Sequence, residues 1–198
     1  MARATQKRLP ADERRALIVE AAGHLFGQRG YAGTTLDDIA AAANVTKPML
    51  YRHFDSKKAL YLALLARHRD DLPRFAAEVA SDVSPESRVE AILDSWLQYV
   101  EQHGYAWRML FRDTTGDEEI QAFRLAVQAR AREVMAALLE QEPEISVPPQ
   151  AVEPLAEFLR AGGAGLALWW LDHPEVPRAV LLDALIAIVR GLSASGRA

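Results

Sequence analysis

Residues 34–58, TTLDDIAAAANVTKPMLYRHFDSKK, decide the fold. Leu36, Ile39, Ala40 and Ala43 recur at i, i+3, i+4 and i+7, one face of a helix. Thr34 and Asp37 stand at the spacing that caps a helix N-terminus, where a threonine hydroxyl accepts from amides lacking a partner in the first turn. The pattern breaks at Ala43-Asn44-Val45, and asparagine tolerates the positive φ that a tight turn needs. Thr46 then caps a second helix, and Pro48 falls in its first turn, where a missing N–H costs nothing. Leu50 and Phe54 share the buried face of that helix, leaving Lys47, Pro48, Met49, Tyr51, Arg52 and His53 to water. A short helix, a tight turn and a short basic, aromatic helix make the helix-turn-helix pattern of DNA readers.

Outward from this stretch the chain is helical throughout. Upstream, a helix follows Pro10; its Ile18, Ala21, Ala22, Leu25 and Phe26 form a face able to pack on the helix-turn-helix, and Gly30 provides its C-terminal cap. Arg3, Lys7 and Arg8 precede it, either a solvated end or an arm for phosphate or the minor groove. Downstream, Asp55 or Ser56 caps a longer helix through Ala59, Leu60, Ala63 and Leu64, with a kink expected where the Pro73 ring opposes the carbonyl of Arg69. Ser84-Pro85 opens a helix of Val89, Ile92, Leu93, Trp96, Leu97 and Val100 that Gly104 stops. The apolar segment from Tyr105 to Phe111 should be largely buried. A long helix from Asp117 ends before Pro143, and residues 142–149 form a proline-rich loop. Pro154 lies in the first turn of the next helix or kinks it. That helix holds Gly162, Gly163 and Gly165, and each glycine in a helix costs about 1 kcal/mol against alanine, so a packing reason is expected. The final helix spans about 176–192. The expected class is all-α with about nine helices.

Composition bounds the function. The 198 residues suffice for a sizeable core in one or two small domains. No apolar run approaches the roughly 18–20 residues of a membrane-spanning helix, and the N-terminus has no signal-peptide core. Cysteine is absent, which excludes disulfides and thiolate chemistry and fits a cytoplasmic protein. The net charge of −4 hides a division: residues 1–60 hold 10 basic and 6 acidic side chains, residues 61–198 hold 13 and 21. A basic head on an acidic body is the asymmetry expected when only one end meets phosphate. No phosphate loop, nucleophile motif or metal-ligand spacing is present among the five histidines, so no catalytic residue, cofactor or metal is expected.

The residues Ile18, Ala21, Ala22, Leu25, Phe26, Gly30, Tyr31, Thr34, Thr35, Ile39, Ala40, Val45, Thr46, Leu50, Tyr51, His53, Phe54, Lys57 and Leu60 together resemble the DNA-binding domain of the tetracycline-repressor (TetR) family of bacterial transcriptional regulators. The segment GLALWWLDHP, residues 165–174, is similar to the family's C-terminal part. The resemblance implies residues 1–58 as the DNA-binding domain, with the helix from about 56 as connector, and residues 59–198 as a helical ligand-binding and dimerisation domain. Geometry alone makes Lys47, Pro48 and Met49 the base-contact candidates. Thr34, Tyr51, His53 and Lys57 match family positions that touch phosphate; Thr35 and Thr46 flank them, and Arg52 suits either role. The resemblance also implies a pocket for a small molecule. Trp96, Tyr99, Tyr105, Met109, Phe123 and Trp169 are its expected lining, against the plainer alternative of an ordinary helical core. Arg108, Arg112 and His103 are the nearby polar candidates, which points to a hydrophobic or aromatic ligand of possible negative charge. The expected function is a homodimeric repressor, paired through its last two helices, released from a palindromic operator by that ligand. An all-α carrier or enzyme, or a DNA-binding regulator without ligand, is the alternative.

Overall fold

The computed structural model describes the backbone of residues 10–82, 85–141 and 147–195, and their side chains except at 70–82, 85–86, 190 and 192–195. The basic tail and residues 142–146 of the proline-rich loop lie outside the described residues. Nine helices and no strand are found among the described residues: α1 (Ala11–Arg29), α2 (Leu36–Ala42), α3 (Lys47–Tyr51), α4 (Lys57–Asp82), α5 (Pro85–Gln102), α6 (Gly104–Phe111), α7 (Glu118–Gln141), α8 (Pro149–Leu171) and α9 (Arg178–Ser195). The all-α class is as the periodicity requires.

Local chemistry sets the boundaries. Gly30 ends α1 at φ 71°, its N–H donating to the Phe26 carbonyl at 2.9 Å. The α2 cap is Thr35, not Thr34: Thr35 Oγ1 accepts from Asp38 N–H at 3.1 Å, and Asp38 accepts from Thr35 N–H at 3.0 Å, a complete capping box. Ser56 Oγ accepts from Ala59 N–H at 3.0 Å and starts α4, which continues past Pro73 as one helix. Asp117 caps α7 by accepting from Glu119 and Ile120 amides, which holds its carboxyl below the usual range. α5 ends at Gln102 and Gly104 opens α6, where a Cβ would lie 2.4 Å from Leu171 Cδ2 and that side chain would have to turn aside. Pro154 sits inside α8.

One apolar core runs across residue 58. Ile18, Ala22 and Phe26 of α1, Ile39 of α2, Leu50 of α3 and Leu60, Tyr61, Leu64 and Leu65 of α4 share it with Met109 and Leu110 of α6 and Ile120 and Val127 of α7. A second core joins Leu97 and Val100 of α5, Trp107 of α6, Ala164, Ala167 and Trp170 of α8 and Leu181 of α9. Fully burying a side chain of this size is worth about 1.5–3 kcal/mol, so α4 and α6 are held to the head by packing as much as by sequence continuity. None of the described helices is long and apolar enough to cross a membrane.

Candidate nucleic-acid interface

Asn44, at φ 52°, is the one described non-glycine residue in the left-handed region. Its N–H donates to Ala41 O at 3.1 Å, and Val45 N–H donates to Ala40 O at 2.9 Å, closing α2 and aiming the chain into α3. Thr46 occupies the N-cap position of α3 as expected, but its side chain makes no capping bond; Lys47 and Pro48 follow in the first turn. Leu50 and Phe54 are buried, and Lys47, Pro48, Tyr51 and Arg52 are exposed with Met49 and His53 half-buried. The outer face of α3 is therefore the one the sequence indicates, fixed by two apolar anchors beneath it.

Lys47 does not stand alone. Its Nζ lies 2.9 Å from Asp37 Oδ2 on α2, and that hydrogen bond and charge hold the ammonium pKa above the ordinary lysine value. Two expected members of the face are built inward. Thr34 is fully buried, and its Oγ1 donates to Gly30 O at 2.9 Å and Leu25 O at 3.3 Å, so here its hydroxyl is an internal brace. Lys57 is half-buried: its Nζ donates to Tyr31 O at 2.8 Å and Thr34 O at 3.0 Å and sits 4.2 Å from the Tyr31 ring centre. That ammonium ties the α1–α2 corner to α4 before any phosphate arrives. Thr35 and Thr46 remain exposed beside the face. Arg15, which the pattern did not single out, stacks its guanidinium 5.0 Å above Phe54 and adds a cation next to the end of α3.

Met109 and Tyr99 are buried, and Trp96, Tyr105 and Phe123 are half-buried. Tyr99 and Tyr105 hydroxyls flank the buried imidazole of His68 on α4, Tyr99 at Nδ1 and Tyr105 at Nε2, the latter at 3.1 Å. Trp169 departs from the set: it is 46% exposed and stacks on His173 at 4.4 Å, on the outer side of α8. Arg112 and Arg108 both pair with Asp172, at 2.7 and 3.1 Å, and their bonds hold that carboxyl below the usual range. A groove of about 400 Å³ lies between α1 and α4, bordered by Asp12, Arg15 and Arg67. Gly162 and Gly165 have open space where a Cβ would be, with no described residue within 4 Å of it.

Residues 18–64 match the domain described as bacterial regulatory proteins, tetR family, and residues 85–190 match the tetracyclin repressor-like C-terminal domain. The chain belongs to the TetR family. Among curated TetR relatives, it is 37% identical over 127 residues to the HTH-type transcriptional activator FasR of Mycolicibacterium smegmatis, covering 63% of this chain and 57% of that protein. It is 57% identical over 44 residues to IcaR of Staphylococcus aureus, a negative regulator of a biofilm operon, covering 22% of this chain and 24% of that one. The chain thus spans little more than half of one relative's length and a quarter of the other's. A TetR-like regulator from Rhodococcus sp. RHA1 superposes at a TM-score of 0.74 with 29% identity, covering 96% of this chain and 98% of that one.

Proposed function

We propose that the chain is a homodimeric, sequence-specific DNA-binding transcriptional regulator that acts in the cytoplasm and is no enzyme. Residues 1–58 read a palindromic operator, and residues 59–198 dimerise and take a small hydrophobic or aromatic effector that releases the repressor. The observation that carries this reading is the outer face of α3, exposed and basic above two buried anchors, on the basic end of an acidic chain. A recognition helix meets base edges with its N-terminal residues, which here are Lys47, Pro48 and Met49. Lys47 must exchange Asp37 for guanine, while Tyr51, Arg52 and His53 reach phosphate.

Duplexes selected from a random-sequence pool by the wild-type chain provide the test. Lys47→Ala should weaken the selected duplex by about 1–3 kcal/mol and relax preference at one base pair. Tyr51→Phe should weaken selected and random duplexes alike. Equal losses for both variants on both duplexes would refute the division of labour.

Dimerisation is supported by α8 and α9. Phe158 is 68% exposed, Val180 55% and Ile188 53%, and with Trp169, Gly162 and Gly165 they leave one side of each helix apolar and uncovered. The pairing of Arg108 and Arg112 with Asp172 supports an apolar effector, among Trp96, Tyr99, Tyr105, Met109 and Phe123. FasR, the relative aligned over the longer stretch, is named an activator, so activation is the second reading of the same DNA-binding chain. A reporter driven by the selected duplex, with and without the chain, decides the sign.

A further inference from the structure

Tyr31 is held at both ends of its residue. Its N–H donates to Asp113 Oδ2 at 2.6 Å across 82 residues of sequence, and its carbonyl accepts from Lys57 Nζ at 2.8 Å. The same Asp113 oxygen accepts from the Tyr61 hydroxyl at 2.9 Å, and its other oxygen accepts from Thr115 N–H at 3.0 Å. Burial first, and then the Asp113 carboxylate, push the Tyr61 hydroxyl well above its ordinary pKa, so it remains a donor. Three elements therefore converge on one carboxylate: the α1–α2 corner, α4, and the loop after α6. Lys58 reinforces the junction, 2.8 Å from Glu119 and 3.4 Å from Asp117 at the start of α7.

The other end of α6 is fastened to the same helix of the head. Tyr105 sits against Gly23 and Gly27 of α1 so closely that a Cβ on Gly27 would lie 2.8 Å from Tyr105 Cα, and one on Gly23 would lie 2.7 Å from its ring. The corner that Asp113 grips governs α2. Gly30, at φ 71°, is a backbone swivel immediately before Tyr31, Thr34 braces the carbonyls of Gly30 and Leu25, and Thr35 caps α2. A hydrogen bond to a carboxylate is roughly twice as strong as a neutral one, and here it fixes the residue next to the swivel.

We propose that Asp113 is a positioning residue for the reading head: through the Tyr31 amide, the α6–α7 loop of the body sets where α2 and α3 lie. Beside α4, the shared core and the Tyr105 contact, the body then has a polar hold on the head, and any displacement of the α6–α7 loop is delivered to Tyr31 without passing along α4. The consequence for DNA rests on the proposed DNA reading; the coupling itself does not.

Segment-resolved amide hydrogen exchange on the full chain, with neither DNA nor effector, tests the coupling. Asp113→Ala should raise exchange in residues 30–35 and in α2–α3 by tenfold or more while leaving α8 unchanged. Asp113→Asn, which keeps an acceptor for the Tyr31 amide, should restore most of that protection. Asp172→Asn removes ion pairs from the opposite side of α6 and should leave the corner at the wild-type rate. In a second arm, a duplex selected from a random pool by the wild-type chain should lose tenfold or more in affinity with Asp113→Ala, and discrimination against random duplex should narrow. Unchanged exchange at the corner, or an even rise across α1–α9, overturns the proposal. So does a raised exchange rate with unaltered affinity and discrimination. A wild-type chain that selects no duplex refutes the DNA reading, and the exchange arm still decides the coupling.

Discussion

The imidazole of His68 lies buried between the hydroxyls of Tyr99 and Tyr105, with Arg67 and the His103 ring nearby, and desolvation followed by those neighbours brings its pKa down to about 3. An unfolded histidine titrates near 6.5, so between about pH 3 and 6.5 the unfolded chain binds the extra proton and stability falls as pH falls. Acidification from pH 7 to pH 5 should cost about 2 kcal/mol through this residue, and in urea titrations over that interval His68→Gln should lose about 2 kcal/mol less than wild type. Thr35→Ala, which removes the α2 capping box, should cost about 1 kcal/mol in the same assay, whereas Thr34→Ala strips a buried hydroxyl from two carbonyls. Which of two adjacent threonines caps was not legible, because both fit the spacing and only the three-dimensional path of the corner separates them. Asp113 was invisible for a different reason: nothing in the residues around it records an amide 82 positions away. Lys57 was legible as a cation, but not as one already spent on two carbonyls.

Helices were the most legible scale. A repeat of apolar residues at three and four positions declares a buried face whatever it packs on, so α1, α2, α3 and α5 follow the pattern, and Asn44 and Gly30 take the backbone conformations their types favour. The glycines of α1 and α8 look alike in sequence and differ in what faces them. Gly27→Ala gains about 1 kcal/mol of helix propensity but drives a methyl into the backbone of Tyr105; overpacking costs about 1–3 kcal/mol, so the net expected outcome is a lower Tm. Gly165→Ala meets open space among the described residues and should raise the stability of an isolated protomer. If a second copy covers α8, the same methyl should weaken self-association, and thermal melts at two protein concentrations distinguish the two effects.

At the scale of the molecule, the charge division and the all-α class were legible from composition and period, and the face of α3 from a single helical turn. Trp169 was not: an aromatic residue in an apolar helix reads the same whether it faces a cavity, a core or another chain. Its exposure, like that of Phe158 on α8 and Ile188 on α9, favours another chain, and Phe158→Glu with Ile188→Glu should yield a helical monomer by sedimentation at micromolar concentration; an unchanged mass would exclude that face. For the effector, tryptophan fluorescence titrated with apolar compounds, with and without the selected duplex, should show ligand and DNA weakening each other by the same factor.

The glycine notch on α1 bears on how heads of this architecture recombine between proteins. A hybrid joining residues 1–58 to a foreign body would set Gly23 and Gly27 against whatever replaces Tyr105, and the Tyr31 amide against whatever replaces Asp113. A tryptophan at the first place collides with α1, an alanine leaves a void in it, and an apolar residue at the second strands a peptide N–H. Viable crossovers therefore carry the α6 segment and the loop after it together with the head, although the two are separated by the whole of α4 and α5. The unit of exchange is discontinuous in sequence, and a splice chosen by sequence boundaries alone would cut through it.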